Sequence, residues 1–339
     1  MKGTKFQTEV IIPEFPWKTG YEKKNLFMGS CFTENIGNKM AQLKYETDIN
    51  PFGILYNPVS VANGIDLLLN KRYLQKDDLV QHNNLWHSFY HHGRFSSPDP
   101  DAALQLVNER IASSSDFLKQ ADFLFITFGT AWIYKLKKTG RTVANCHKIP
   151  ANEFERQKSD VNEIVETYDQ KLNELWKFNP DLKIVFTISP IRHWKDGPVE
   201  NQRSKSALIL AVEKIIKKFD EKKCGYFPSY EIVMDELRDY RFYADDMIHL
   251  SDMAVNYIWE KFQEKLIEPG SLKISKQVQK INSLVNHKPI NRFTTENLNF
   301  LNQTLKKTDE LNRKYPFLKF EHEKKYLQNQ IQKIGENQK

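Results

Sequence analysis

Short apolar runs alternate with amphipathic stretches along most of this chain, and this alternation constrains its fold more than any other feature. The apolar runs have the length of buried strands and lie at residues 25–28, 123–128, 183–189 and 225–233. Helical periodicity occupies residues 34–44, 101–119, 152–178, 204–222 and 251–266. Strands that alternate with helices form β-α-β units, so we predict an α/β fold with a mostly parallel sheet. In such sheets the functional side chains lie where strands end and helices begin.

The C-terminal part of the chain differs from the rest. Beyond Pro269 the strand pattern stops, and residues 271–339 hold 14 of the 50 basic residues but only 6 of the 43 acidic ones. The net charge of +7 therefore belongs to this segment. We predict a main domain over residues 1–268 and a basic helical extension over residues 269–339. Its apolar residues indicate that part of it packs on the main domain; they include Leu298, Phe300, Leu301 and Phe317.

Composition narrows the class of protein further. Hydrophobic residues make up 40% of the chain, but no stretch approaches the roughly 18 apolar residues of a membrane span. The first 17 residues lack the apolar centre of a signal peptide, so we expect a cytoplasmic protein. Since the main domain carries no excess of positive charge, we do not expect a nucleic-acid partner. Three widely spaced cysteines, Cys31, Cys146 and Cys224, are expected to be reduced.

Two inserts interrupt the alternation. Residues 132–145 are predicted to form a hairpin that turns at Thr139 and Gly140. Residues 81–95 interleave four aromatic residues with four histidines: His82, His87, His91 and His92. Histidines at this spacing can share a metal, and a metal hydrolase is one alternative. Because the run contains no acidic ligand, we instead predict an aromatic-rich strand pair that shapes a pocket, with no metal and no cofactor.

Ser30 stands where the first predicted strand gives way to its helix. A serine at this junction presents its Oγ at the carboxyl edge of the sheet. Its own backbone N–H lies at the positive end of the helix, where it can stabilise an oxyanion. The alternative is that Ser30 or Thr33 only caps the helix. Cys31 is not the expected nucleophile, because its side chain should turn towards the buried side of the helix.

A second candidate pair precedes the last predicted helix of the main domain, with Asp246 and His249 three residues apart. A serine nucleophile needs a base, and a neutral imidazole suits this role near pH 7. The imidazole needs a carboxylate that fixes its tautomer and stabilises its charged form. A serine early in the chain and an Asp-x-x-His motif late in it therefore indicate a serine hydrolase.

The chain also resembles a known family. It contains, in order, Gly29-Ser30-Cys31-Phe32, Asn50-Pro51-Phe52-Gly53, residues 189–193 (SPIRH) and residues 246–251 (DMIHLS). This combination resembles the GSCFA domain family, which is grouped with the SGNH/GDSL hydrolases, over roughly residues 20–265. The resemblance implies a three-layer, flavodoxin-like α/β/α fold, with a mostly parallel sheet of about five strands, and activity on ester bonds.

The resemblance also implies roles for individual residues. Ser30 would be the nucleophile, Asp246 and His249 would complete the triad, and the backbone N–H groups of Ser30 and Gly53 would form part of the oxyanion hole. In the wider superfamily an asparagine after the third strand donates a side-chain amide, but here Ala131 stands at that position. Removal of one such donor typically costs about a hundredfold or more in rate. Substitutes available in this sequence are Thr130, Asn50, Asn145 and His147.

Asn145 and His147 are the preferred substitutes, because the hairpin that carries them begins at the same turn as Ala131. Residues that follow the apolar run 183–189 (Arg192, His193 and Trp194) are predicted to line the substrate cleft, with a solvated loop as the alternative. Arginine and tryptophan suit a sugar or an anionic group, so we predict a serine esterase, deacetylase-like, that acts on a small-molecule or acylated carbohydrate ester. The alternative is a catalytically weak SGNH-like binding module that docks on an anionic partner through its basic extension.

Overall fold

A five-stranded parallel sheet forms the centre of the protein in a computed structural model, which describes residues 7–219 and 222–337. The strands are β1 (Asn25–Gly29), β2 (Thr47–Ile49), β3 (Leu79–His82), β4 (Leu85–Ser88), β5 (Phe123–Phe128), β6 (Trp132–Leu136), β7 (Thr142–Val143), β8 (Phe154–Lys158), β9 (Lys183–Ile188) and β10 (Cys224–Tyr226). The central sheet has the order β10-β9-β5-β1-β2. Numbered along the chain, this order is 2-1-3-4-5, that of flavodoxin-like folds.

Helices cover both faces of this sheet. They are α1 (Cys31–Gln42), α2 (Pro58–Leu69), α3 (Pro100–Gln120), α4 (Val161–Phe178), α5 (Gly197–Lys218), α6 (Ser229–Glu231), α7 (Asp252–Leu266), α8 (Pro269–Val285), α9 (Thr295–Lys314) and α10 (Glu321–Asn337). Alternate strand residues face opposite layers: Leu26 and Met28 pack with α2 to α5, whereas Phe27 packs with α1, α7 and α8. The expected three-layer α/β/α architecture is confirmed.

Most predicted elements are present, but several boundaries were wrong; α5, for example, spans Gly197–Lys218 where we predicted residues 204–222. Residues 225–233 do not form one strand, because β10 ends at Tyr226 and the chain then turns into the helical segment 229–236. Ile232 and Val233 of that helical segment are buried in the hydrophobic cluster that contains Phe27. A short apolar run such as this one is found both in strands and in buried helices, so the sequence alone does not distinguish them. Helix α4 begins only after Asp160, which caps it, and β8 precedes it.

Sequence reasoning did not find β2, α2 or β8, and the residues of β8 lie within the helix predicted over 152–178. Strand β2 has only three residues, too few for a recognisable alternation. Helix α2 is apolar on most of its surface and therefore shows little helical periodicity. Asn57 and Pro58 nevertheless provide a cap and a proline at its start.

The inserts form small sheets outside the central one. Strands β3 and β4 pair antiparallel, which confirms the predicted strand pair, and β6 pairs with β7 and with β8. The predicted hairpin turn is present, with Gly140 at a φ of +68°.

The C-terminal helices pack on the main domain. Val278, Ile281, Leu311, Leu318 and Phe320 join the same hydrophobic cluster as Phe27 and Phe32. A smaller cluster between the last helices holds Leu301 and Leu327, with Leu298 and Phe300 against it. None of the helices in the described part of the chain combines the length and apolarity that a bilayer crossing requires.

Candidate functional site

Ser30 lies between the last residue of β1 and the first residue of α1, at a topological switch point of the sheet. The chain leaves β1 for β2 on one side and returns to β5 on the other, and ligands of such sheets bind outside the carboxyl ends of these strands. Gly29 has a φ of +143°, and a Cβ built on it would lie 2.2 Å from the carbonyl oxygen of Thr127 on β5. Only glycine fits this position, so the approach of β5 fixes where Ser30 stands.

The Ser30 side chain is 1% exposed, and within residues 7–219 and 222–337 its Oγ has no hydrogen-bond partner. Ser30 occupies the N-cap position of α1, but its side chain makes no cap hydrogen bond to the helix, and Thr33 Oγ1 has no partner in these ranges either. The Ser30 backbone N–H donates to the carbonyl oxygen of Thr127 at 3.3 Å. A buried hydroxyl without a protein partner calls for an explanation, and the hydroxyls of Thr33, Ser60 and Ser115 share this property in the same ranges.

Asn50 follows β2 in a left-handed conformation, with a φ of 45°. Its Oδ1 accepts the Gly29 N–H at 2.9 Å, which brings the asparagine side chain beside the strand end that carries Ser30. Its carbonyl oxygen accepts the Gly53 N–H at 2.8 Å and the Arg94 guanidinium at 2.9 Å. Gly53 has a φ of +74° and packs against His92, where a Cβ would come within 2.3 Å of the His92 Cβ.

The turn after β5 also contacts Ser30. A Cβ built on Gly129 would lie 3.6 Å from the Ser30 Cβ. Ala131 is fully buried in the core below, and its N–H donates to Ser204 Oγ at 2.8 Å. Thr130 Oγ1 also bonds Ser204 Oγ, at 3.1 Å. The Thr130 hydroxyl and the Ala131 N–H are therefore engaged with α5.

Lys205 extends from α5 to the same edge of the sheet and is fully buried. Its Nζ donates to the carbonyl oxygen of Gly129 at 2.7 Å and to that of Ser189 at 2.6 Å, joining the chain just beyond β5 and β9. Burial lowers the pKa of Lys205 to about 7, and Arg192 lowers it further, whereas Cys31 opposes the change. Sequence reasoning missed this lysine, although it lies three and seven residues before the core residues Leu208 and Val212.

Asp246 and His249 come together in the loop before α7. His249 Nδ1 is 2.5 Å from Asp246 Oδ2, and Asp246 Oδ1 accepts the N–H groups of Ile248 and His249 at 2.9 Å each. These bonds, that of the His249 side chain foremost, lower the pKa of Asp246 to about 2. Both side chains are about half exposed, and the structure does not join His249 to Ser30 by a hydrogen bond.

Asn145 and His147 have partners of their own. Asn145 Oδ1 accepts the His147 N–H at 2.9 Å. His147 Nε2 lies 2.9 Å from the carbonyl oxygen of Ser88, and its ring stacks on His87 with the centroids 4.4 Å apart. Burial lowers the pKa of His147 to about 4. The structure thus places the preferred oxyanion donors against β4, bonded to groups other than those of the Ser30 junction.

A cleft of about 320 Å³ lies beside the Asp246–His249 loop. Arg192 and Trp194 line it together with Met247 of that loop and the tyrosines Tyr240 and Tyr243. His193 is not among the lining residues and instead bonds Asp196, with its Nδ1 3.0 Å from Asp196 Oδ2. Of the three predicted substrate residues, Arg192 and Trp194 therefore face the cleft.

Three of the four histidines in residues 81–95, His87, His91 and His92, bond to neighbouring protein groups through their rings. His87 lies 2.6 Å from Ser96 Oγ, and His91 lies 2.9 Å from Ser88 Oγ. His91 is fully buried, and burial lowers its pKa to about 3. Within the described ranges, no group of three or more His, Cys, Asp or Glu side chains is placed to hold a metal ion.

The sheet order and the junction at Ser30 define a flavodoxin-like α/β protein with its candidate site at the switch point. The model of the GSCFA family matches residues 24–262, and that of the GSCFA domain protein C-terminal domain matches residues 278–333. The chain therefore belongs to the GSCFA family. A comparison with curated proteins gave no match.

Two solved structures show a distant likeness. A carbohydrate esterase family 3 from Talaromyces cellulolyticus is 10% identical, with a TM-score of 0.35, over 76% of this chain and 99% of that chain. An acetyl xylan esterase from the rumen bacterium Butyrivibrio proteoclasticus is 12% identical, with a TM-score of 0.36, over 75% of this chain and 65% of that chain. Similarity at this level carries no argument about activity or substrate.

Proposed function

We propose that this protein is a serine ester hydrolase with Ser30 as its nucleophile. The observation that carries the proposal is the buried Ser30 Oγ, which lacks a protein partner among the described residues at the end of β1. Ser30 differs from other buried hydroxyls without a partner, such as that of Ser115, because it lies at the carboxyl end of β1, at the switch point of the sheet. Gly29 and the close approach of β5 hold the serine in place independently of any substrate.

In this proposal His249 accepts the proton of Ser30, and Asp246 orients the imidazole. The bond between Asp246 and His249 Nδ1 leaves Nε2 as the nitrogen that can act as base. Helix α7, which follows this pair, packs on α1, and Lys39 Nζ of α1 donates to Asn256 Oδ1 at 2.5 Å. Bonds between nucleophile and base often tighten only when substrate binds, so the half-exposed His249 would move towards Ser30 in the complex.

The cleft beside Met247 supports an acylated carbohydrate as the substrate. Trp194, Tyr240 and Tyr243 offer apolar ring faces with polar edges, and Arg192 offers donors for hydroxyl or carboxylate oxygens. Ser30 itself is deeply buried, which favours a small acyl group such as acetyl. The reaction would then be the removal of a small acyl group from a sugar.

A binding module with little turnover is the second candidate. The backbone N–H groups of Ser30 and Gly53, expected in the oxyanion hole, already donate to Thr127 and Asn50. The extension also carries a cleft of about 650 Å³ that is lined by Lys276, Lys280, Lys307 and His287, among others. These features favour anion binding, which would weaken steeply as salt screens the charges.

Labelling with a fluorophosphonate probe separates the two candidates, because the probe reacts with activated serines. We expect labelling and hydrolysis of 4-nitrophenyl acetate by the wild type, and loss of both in Ser30→Ala with an unchanged melting temperature. Ser115→Ala is the matched control, since Ser115 is also fully buried with an Oγ that lacks a partner within the described residues, but it lies within α3. A labelled peptide that contains another serine would refute the assignment, and an unlabelled wild type would favour the binding module.

A further inference from the structure

Two buried polar atoms without protein partners lie at the same strand end. One is Ser30 Oγ and the other is Asn50 Nδ2, both counted over the described part of the chain. Ser30 follows Gly29 in the chain, and the Asn50 side chain accepts a hydrogen bond from the Gly29 N–H. Gly29 therefore holds Ser30 and Asn50 near each other. Asn50 is 1% exposed. A buried amide nitrogen without an acceptor destabilises a fold, so its position beside Ser30 points to a ligand.

The orientation of the Asn50 amide is fixed by its other bonds. Its Oδ1 accepts the Gly29 N–H, which identifies Nδ2 as the free end, because only the carbonyl end can accept. Its backbone N–H donates to the carbonyl oxygen of Phe27 at 2.8 Å, and its backbone carbonyl accepts from Gly53 and Arg94. Every other polar group of Asn50 is therefore engaged. These bonds hold the residue rigidly and leave the Nδ2 amino group without a partner among the described residues.

Several other donors around Ser30 are already used. The Ser30 N–H donates to Thr127, and the Gly53 N–H donates to the Asn50 carbonyl. The Ala131 N–H donates to Ser204, and Lys205 donates to two backbone carbonyls. Of the side chains that sequence reasoning offered for the oxyanion hole, Asn50 is the one bonded to Gly29, and its buried Nδ2 has no partner among the described residues.

We propose that Asn50 Nδ2 donates the hydrogen bond that stabilises the oxyanion during ester hydrolysis, in place of the amide that is missing at Ala131. This inference rests on the proposed function. Ser30 Oγ forms a bond to the acyl carbon, its proton passes to His249, and the carbonyl π electrons move onto the oxygen that Asn50 binds. The oxyanion then collapses as the alcohol leaves with the proton from His249, and water releases the acyl group by the same steps.

Asn50→Asp tests this role with little change of shape. The aspartate keeps an oxygen that can accept the Gly29 N–H, and it tolerates a left-handed φ, but it replaces the donor by a negative charge. We expect kcat for 4-nitrophenyl acetate and the rate of fluorophosphonate labelling to fall at least about a hundredfold, with KM changed only a few-fold. Asn57→Asp is the control, because Asn57 is a buried asparagine that caps the neighbouring helix α2 through its Oδ1.

The outcomes distinguish this inference from the proposed function. Asn50→Ser, which is smaller and uncharged, is assayed alongside, and each variant is checked by thermal melting. If Ser30→Ala is inactive but folded Asn50→Asp and Asn50→Ser both retain more than about a third of the wild-type kcat, Asn50 is not the oxyanion donor and Ser30 remains the nucleophile. If neither Asn50 variant folds, Asn50 is a structural residue and the inference is overturned. If the wild type is neither labelled nor active, both proposals are refuted.

Discussion

Replacement of Lys205 by methionine should change how the stability of the protein depends on pH. Methionine has a similar length but carries no charge, and it leaves the carbonyls of Gly129 and Ser189 without this donor at every pH. In the folded protein burial lowers the pKa of Lys205 from its usual 10.5 to about 7. Between these two values the unfolded chain binds more protons than the folded protein at this position. The contribution of Lys205 to the free energy of unfolding therefore rises with pH across this window.

The expected magnitude follows from the size of the change in pKa. One pH unit within the window is worth about 1.4 kcal/mol, so this contribution should rise by about 2–3 kcal/mol between pH 7 and pH 9. Well below pH 7, Lys205 is protonated in both the folded and the unfolded protein. Its contribution to the free energy of unfolding is then constant and at its lowest value. The full difference between the two pKa values amounts to roughly 5 kcal/mol, which is the order expected for a lysine that is completely removed from water.

Urea unfolding of the wild type and Lys205→Met at pH 6, 7, 8 and 9 measures this effect. The wild type should gain stability relative to the variant above pH 7, while the difference stays level below it. Lys217→Met provides the control, because Lys217 is on the same helix with its side chain 73% exposed. Parallel curves for the wild type and Lys205→Met from pH 6 to 9 would refute the reasoning and would mean that Lys205 keeps its usual pKa in the fold.

Three further predictions concern the rest of the site and the extension. Gly29→Ala should cost several kcal/mol of stability, measured by urea unfolding, because the added Cβ meets the β5 backbone; a cost below about 1 kcal/mol would contradict the geometry. His249→Ala and Asp246→Asn should each lower kcat by orders of magnitude and Asp245→Asn should have a mild effect; the reverse result for the two aspartates would reassign the triad acid. A chain that ends at Glu268 should melt at a lower temperature but keep its turnover of a small ester, and a well-folded truncated chain without turnover would show that the extension completes the site.

The sequence was most informative about groups that lie at strand-to-helix junctions. Ser30 was recognisable because β1 is a clear apolar run, and Asp246 and His249 because Ser251 caps a strongly periodic helix. The Asp246–His249 contact then follows from a spacing of three residues within one short loop. These features depend on local chain geometry, which periodicity and capping predict well.

The rest of the site depends on distant segments that meet in space. Lys205 reaches two carbonyl groups 76 and 16 residues away, and no local pattern specifies them. Asn50 follows β2, whose three residues gave no strand signal, and its free amide becomes apparent only when all its bonds are known. Asn145 and His147 were preferred because their hairpin starts at the turn that contains Ala131. The two residues lie at the other end of that hairpin, where His147 bonds to Ser88.

His91 and His92 pack against the Asn50–Gly53 turn, outside the proposed triad. The stability of the protein in acid should depend on this region. His92 donates its N–H to the carbonyl oxygen of Phe52, and the neighbouring His91 is buried with its pKa lowered to about 3. Between about pH 3 and the usual imidazole value of 6.5, the unfolded chain takes up a proton at His91 that the folded protein refuses. Acidification through this range therefore lowers the free energy of unfolding through His91, which packs on Phe52 of the Asn50–Gly53 turn.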